Sequence, residues 1–592
     1  MARLRLLFAA AAYLARQPFE RSADRWAVAN ARLGQVPSGP ALRLPTRLVG
    51  QAERGEAACQ GQLTLAGRPL VITGGQPWEA RLAHPAMAHA LHGFTWLDDL
   101  AALGNGPARL TAQAWVGHWL ERFGTGKGQG WTPALAGARL IRLSSHIRLL
   151  TRRQSPEARR AMMEAVARHV GYVTARADTA RDPQDQIAAL SGLIHGLLVL
   201  GGRETALADA IRGLGRAAAD AVDEQSGGTP NRAPETLLEV IDYLVSAANA
   251  LSAAGRPVDD RARTAIETGA QTLRGVRLTG SRLARFNGGG PGPDGKLDQV
   301  LAASGVRPAR IPPPLAMGFG RLAGGTTALV IDGARPPRSN QTGEAHAGTL
   351  AMELSVGAQP LVVNGGPAQH LEADWRRAAR TSAFHSTLVL DRSSSSRFWS
   401  PGLVTRAFGE LMTDGPRAVR LERARDITGS WLNASHDGYS GTHGLLHDRK
   451  IFISADGSAI YGEDSVRLAE NGGKQRFDAR LKGLRGLGAL AILHFHIHPD
   501  VDLRDPRDEA LIRFYLADGA VWVLRHQGAE AAVEPAQYFD PDQGKPRSSQ
   551  QVQLRTQIRK GTEVISWSLT RERAGQRTRR STVATRPVEH TA

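Results

Sequence analysis

The chain has 592 residues, 42% of them hydrophobic, and a formal charge of +18 from 74 basic and 56 acidic residues. That length exceeds one ordinary domain, and that apolar content excludes a disordered or collagen-like chain. The single cysteine, Cys59, excludes an internal disulfide framework and a cysteine-ligated cluster, and the lack of any uninterrupted apolar run of 18 residues excludes a polytopic membrane protein.

At the N-terminus, Arg3 and Arg5 precede Leu6-Leu7-Phe8 and an alanine run. The pattern fits a short signal sequence. It equally fits an ordinary helix with Leu4, Leu7, Phe8, Ala11 and Leu14 on one face. Trp115, Trp119 and Phe123 recur every fourth residue, and the glycine-rich stretch 124–130 then breaks the helix. Ser155-Pro156 reads as an N-cap with proline at the first helical position, followed by a stripe of Met162, Val166, Val170 and Val173. Residues 187–200 are apolar nearly all round, which predicts a buried helix too short to span a bilayer. In 234–245, Leu237, Ile241 and Leu244 share a face. Short loops between these segments predict helical hairpins packed in series.

The character changes in 286–314, where Gly288 to Pro293 and Pro312-Pro313-Pro314 read as a linker or cap. Beyond it, short strand-like runs dominate: 326–331, 349–356, 360–363, 386–390, 449–453, 489–498, 511–516, 520–524 and 564–569. Their spacing predicts an antiparallel sandwich. The expected architecture is an all-α half over 1–285, a linker over 286–314 and an all-β half over 315–592. The charge suggests a polyanionic partner, either nucleic acid or an acidic polysaccharide. The densest basic run, Arg571 to Arg580, has no interleaved aromatics and reads as a solvated tail, so nucleic acid is not expected.

Four groups of residues have the types that chemistry requires. His346, Asn364 and His385 lie at the ends of neighbouring predicted strands; two imidazoles and an oxygen suit a zinc ion, and the same residues also serve as loop caps. His494, His496 and His498 alternate along a strand, so they share a face. We expect that face to meet solvent or a polar loop while Phe495 and Ile497 pack inward. Asp437-Gly438 predicts a turn that presents His436 and Tyr439, which are proton carriers when suitably tuned and turn braces otherwise. On the helical side, His92, Trp131 and Arg139 have the stacking and carboxylate-binding chemistry of a sugar cleft, or pack helices together. Arg232 precedes a helix, within reach of a cleft.

These segments resemble the heparinase II/III family of polysaccharide lyases, in particular its bacterial heparinase II/III-like members. The resemblance runs through Leu91 to Leu97, Trp131 to Arg139, Phe286-Asn287-Gly288, Glu344 to Gly348, Val362 to Gly366, Ala383 to Thr387, Ser435 to Tyr439, Gly462-Glu463-Asp464 and His494 to Pro499, in order across almost the whole chain. It implies an incomplete (α/α) toroid followed by an antiparallel β-sandwich, with a cleft between them. It also implies an enzyme that cleaves an acidic, uronate-containing, glycosaminoglycan-like polysaccharide by β-elimination, in the cell envelope or periplasm, with the cytoplasm as the alternative. In that chemistry the uronate carboxylate is neutralised, a base removes the C5 proton, and the glycosidic oxygen leaves with a proton.

Several positions depart from the family pattern. Where the toroid neutraliser stands, the chain has Pro183-Gln184-Asp185-Gln186, and no tyrosine lies between Arg232 and Glu235. Glu344 stands where the family has a catalytic histidine, and Asn364 replaces a metal-ligating aspartate; His346 and His385 are retained. The resemblance therefore leaves His346, Glu344, Tyr439 and His436 as the acid/base set. It leaves Arg232 and Arg139 as carboxylate clamps, with Trp131 and His92 beside the substrate, and His346, Asn364 and His385 as zinc ligands. The alternative is a protein on the same scaffold that binds acidic polysaccharide, or serves envelope or exopolysaccharide assembly, without cleaving. The sequence carries no signal of oligomeric state.

Overall fold

The computed structural model describes residues 2–572 apart from 32–33, 46–49, 75, 83, 181, 311–312, 338–342, 369–370, 400–401, 486, 504–510 and 541–544. The basic tail beyond residue 572 lies outside the described residues. In chain order the first half comprises α1 (Ala2–Ala29), α2 (Ala52–Cys59), a hairpin of β1 (Gln62–Leu65) and β2 (Arg68–Val71), α3 (Pro85–His92), α4 (Thr95–Leu103), α5 (Gly106–Phe123), α6 (Pro133–Ser145), α7 (Ile147–Thr151), α8 (Pro156–Arg176), α9 (Pro183–Leu200), α10 (Glu204–Ala221), α11 (Pro234–Ala253), α12 (Asp260–Gly275) and α13 (Lys296–Ala303).

Local chemistry sets the helix starts. Thr132, Ser155 and Asp182 each accept a backbone N–H with the side chain, and each is followed by proline at the first helical position. The cap satisfies an orphan donor, and the proline has no donor to lose there. Helix α9 is buried at every position from Ile187 to Leu200, as its all-round apolar sequence predicts. It crosses α6 at backbone contact: a Cβ on Gly192 would stand 2.2 Å from the Gly137 carbonyl oxygen, and one on Gly137 2.2 Å from that of Ala188. Helix α1 rests on the body through its inner face. There Asp24 accepts from the Tyr172 hydroxyl (3.0 Å) and pairs with Arg176 (2.8 Å), and Ala10 packs with Val404 and Leu411. Leu4, Leu7 and Phe8 of its expected apolar face are turned outward.

The second half begins with β3 (Phe319–Gly324), β4 (Thr327–Asp332), β5 (Met352–Val356), β6 (Gln359–Val363), α14 (Ala373–Ala379), β7 (Leu388–Leu390), β8 (Arg397–Phe398), α15 (Leu403–Phe408) and β9 (Met412–Asp414). It continues with β10 (Val419–Arg425), β11 (Gly429–His436), β12 (Leu445–Ser454), β13 (Ala459–Leu468), α16 (Gly473–Gly483), β14 (Ala489–Ile497), β15 (Asp502–Leu503), β16 (Leu511–Tyr515), β17 (Val521–Gln527), β18 (Glu530–Asp540), β19 (Lys545–Ile558) and β20 (Glu563–Arg571). Two antiparallel sheets result, one in the order β10-β11-β12-β13-β20-β17-β16-β15, the other β18-β19-β14-β6-β5-β4-β3 with β7 alongside β14. Leu354, Leu432, Ile451, Leu493, Phe495, Phe514 and Leu554 fill the space between them. The second sheet turns its other face to the helices, where Phe319 and Val330 join the helical core.

The stretch expected as a linker is a buried joint. Residues 283–290 are buried, and α13 packs beside α11, where Lys296 pairs with Asp242 (2.7 Å). Asn287 sits in the left-handed region (φ 49°), a conformation asparagine tolerates. Its amide donates to the Arg232 carbonyl (3.0 Å) and its Oδ1 accepts from the backbone N–H of His346 (3.1 Å), so one side chain ties helices to sheet.

Candidate functional site

The N-terminal turns of α9 and α11 bring carboxylates together. Glu235, Glu239 and Asp242 stand at i, i+4 and i+7 on α11, and Asp185 faces them from α9. Glu239 and Asp185 keep solvent-exposed surface while protein surrounds them on most sides, which marks a concave part of the helical half. Desolvation there, then the charges of Glu235, Asp242 and Asp185, push the Glu239 carboxyl up to about 8. Desolvation and Asp182 push Asp185 up to about 6. The amides offered by the sequence as neutralisers are engaged with acids: Gln184 donates to Glu239 (2.8 Å) and Gln186 to Asp178 (3.2 Å). Half-buried Tyr243 lies on α11 within the field of the same acids, and desolvation raises its phenol pKa. The sequence reading missed Tyr243 and this acidic face. The signal was present in three like charges at helical spacing, an arrangement that costs stability on an isolated helix.

Arg232 does not face this concavity. Its guanidinium pairs with Asp332, donates to the carbonyls of Met317 (3.0 Å) and Arg335 (2.7 Å), and lies 4.8 Å from the Phe319 ring. The expected carboxylate clamp is thus already filled by a carboxylate of the chain itself, and it fastens the two halves. Arg139 is corrected likewise. It is fully buried, stacked 4.1 Å from the Trp119 ring, and donates to His169 Nε2 (3.0 Å) and to the carbonyls of His92 (2.9 Å) and Gly130 (2.7 Å). Desolvation pulls its pKa down to about 9. His92 and Trp131 belong to the same buried aromatic cluster: His92 Nδ1 accepts from Trp119 (3.0 Å), and Trp131 donates to the Phe123 carbonyl (2.7 Å). These residues pack helices because no polar ligand reaches them at 0–7% exposure.

At the joint the structure brings together the three residues proposed for zinc. His346 Nδ1 lies 2.9 Å from His385 Nε2. His385 Nδ1 donates to the Thr381 carbonyl (2.7 Å), so its Nε2 is the acceptor and His346 the donor. Desolvation lowers both pKa values, that of His385 to about 4, so both rings are neutral near pH 7. Asn364 is bonded through its backbone N–H and through both polar atoms of its side chain. Its N–H donates to Glu353 (2.9 Å), its Oδ1 accepts from the Ser386 N–H (3.1 Å), and its amide donates to the Arg285 carbonyl (3.3 Å). Two imidazole nitrogens on one tetrahedral zinc stand about 3.4 Å apart. As arranged, the set is a knot of hydrogen bonds and does not fit an open ligand cage. Among the described residues no group of three His, Cys, Asp or Glu side chains could hold a metal ion.

Of the acid/base candidates, only Glu344 is exposed, and its charge acts on Arg380. Tyr439 is fully buried, and its hydroxyl donates to the Leu388 carbonyl (2.9 Å); burial pushes its pKa further up, the wrong direction for a base. His436 accepts from the Gly438 N–H (3.0 Å) and hands its other nitrogen to His447 (3.2 Å), which bonds Asp464 (2.8 Å). Both residues brace the turn that the sequence also allowed. His494 and His496 share one face of β14 and His498 follows its last residue, but all three are buried at 4–6% exposure rather than solvated. His494 bonds Gln551 (2.9 Å) and His496 the Ala383 carbonyl (2.8 Å), which compensates part of the cost of enclosure.

Comparison with known proteins places this geometry. The heparinase II/III-like, C-terminal family matches residues 307–568. FtsZ-localized protein C of Caulobacter vibrioides (strain NA1000 / CB15N) is 27% identical over 520 residues, covering 87% of this chain and 88% of that protein. Among solved structures, heparinase III superposes with a TM-score of 0.62 at 12% identity, over 91% of this chain and 87% of that one. A mutant of heparan sulfate lyase HepC from Pedobacter heparinus gives 0.54 at 12% identity, over 95% and 88%. At that identity the likeness establishes the fold alone: a helical half followed by antiparallel sheets, as in heparinase III. Residues 307–568 thus match the heparinase II/III-like, C-terminal family, and the whole length shares the fold of heparinase III.

Proposed function

We propose that this chain is a non-catalytic member of the lyase scaffold, working as a binding or assembly protein rather than cleaving uronate polymers. The carrying observation is the acidic concave face. A lyase must hold a uronate carboxylate and stabilise the negative charge that develops beside it. Here Glu235, Glu239, Asp242 and Asp185 occupy that wall, the neighbouring amides are bonded to acids, and Arg232 is closed by Asp332. None of these side chains offers a uronate carboxylate a positive charge, and Tyr243 in the same field is a weaker acid than a free tyrosine, so its base form is scarce. The acidic polysaccharide that the resemblance implied loses support on the same ground.

The relative named for its localisation with FtsZ supports an assembly role, because its likeness spans most of both chains. The proposed partner is therefore FtsZ polymer. Co-pelleting of purified protein with assembled FtsZ, run beside a pelleting assay with uronate polymers, tests this reading. We expect pelleting with FtsZ polymer and uronate chains of unchanged length. Shortened chains, or no association with FtsZ polymer, would contradict it.

A further inference from the structure

Helix α1 carries five exposed large apolar side chains; Leu7 is 39% exposed, and the other four are more so, Leu4 at 60%, Phe8 at 68%, Phe19 at 76% and Trp26 at 70%. These four form one stripe. Leu4, Phe8, Ala11, Ala15, Phe19, Ser22 and Trp26 follow steps of four, three, four, four, three and four, which at 3.6 residues per turn keeps them within an arc of about 80°. Exposed arginines border the stripe, Arg5 and Arg16 along one side, Arg21 and Arg25 along the other. The acids of the helix point elsewhere: Asp24 is bonded to Tyr172 and Arg176 on α8, and Glu20 falls on the same inner side. The helix is fixed to the body by that inner face, so the stripe stays outward.

We propose that this face of α1 docks on the surface of an anionic lipid bilayer. Aromatic and aliphatic side chains would enter the acyl boundary while the arginines meet lipid phosphates, the arrangement of helices that lie in a membrane interface. The stripe from Leu4 to Trp26 runs about 33 Å in a line, which matches a plane better than a pocket. The excess charge of +18 adds long-range attraction to an anionic surface. A second copy of the same face would set arginine borders against each other, which disfavours self-pairing. No described helix is long and apolar enough to cross a membrane, so the contact is one of lying on the surface. This inference goes beyond the proposed function and stands apart from it.

Sedimentation of the full chain with phosphatidylcholine vesicles, and with vesicles containing phosphatidylglycerol, tests it. We expect binding to the anionic vesicles, weakened at least tenfold by the double variant Phe8→Glu/Phe19→Glu. Replacing Arg5, Arg16, Arg21 and Arg25 by alanine should remove the preference for anionic over neutral vesicles. Because all six positions are exposed, both variants should keep the wild-type circular dichroism and melting curve; a variant that melts early is replaced by Trp26→Ser for the same comparison. No binding to anionic vesicles, or binding unchanged by the apolar variants, would overturn the proposal. So would an α1-dependent dimer in analytical ultracentrifugation without vesicle binding.

Discussion

Asp464 gathers three donors from two strands in a fully buried place: His447 at 2.8 Å and Arg449 at 2.7 Å from β12, and the Trp567 indole at 2.9 Å from β20. Burial alone would raise its pKa, but the Arg449 charge and the His447 bond outweigh it and hold the carboxyl down to about 2. A carboxyl lowered on folding adds stability above its unfolded pKa, near 4, and that stability is lost as pH falls toward 2. Asp464→Ala should cost about 3 to 5 kcal/mol in urea unfolding at pH 7, because it leaves Arg449 buried without a counter-charge, and should flatten the acid limb of the stability curve. His346 and His385 lead to a second expectation. With one imidazole donating directly to the other, elemental analysis of gently purified protein should find zinc well below one ion per chain. Glu239 gives a third. Its raised carboxyl makes the fold less stable as pH rises from about 4.5 to about 8, so Glu239→Gln should raise the melting temperature at pH 8 and change it little at pH 4.

The segments legible in the sequence were those whose pattern had one physical outcome. Helix α9 is apolar all round and had nowhere to go but the core; β14 was legible as a strand with Phe495 and Ile497 turned inward, while the burial of its histidine face was not. Strands β10, β18 and β19 were not legible. β10 reads Val-Arg-Leu-Glu-Arg-Ala-Arg, and β18 carries Pro535, which an edge strand tolerates because its outer N–H side needs no partner. Pairing with neighbours, rather than their own composition, makes them strands. The α6–α9 crossing shows the same dependence on partners. Gly192 is invisible as a contact residue in sequence, yet a methyl group there would meet the Gly137 carbonyl. Gly192→Ala should therefore cost about 1 to 3 kcal/mol through overpacking, measured by thermal or urea unfolding.

Across the molecule, the half-and-half architecture and the pairing of His346 with His385 could be read from residue order and family resemblance. The roles of the charged residues could not. Arg232, Arg139 and Tyr439 have the right chemistry for a uronate site, and only their neighbours — Asp332, Trp119 and the Leu388 carbonyl — show that each is already engaged. The acidic wall formed by α9 and α11 required the packing of two helices 50 residues apart. That wall supports the central proposal, that this chain does not perform β-elimination. The direct measurement is ultraviolet absorbance of the unsaturated uronate product, followed over long incubation of the full chain with heparan, chondroitin, alginate and polyglucuronate. We expect no product from any of them. Turnover on one polymer that is lost in Tyr243→Phe would contradict the account, because it would show that the acidic wall holds a working base.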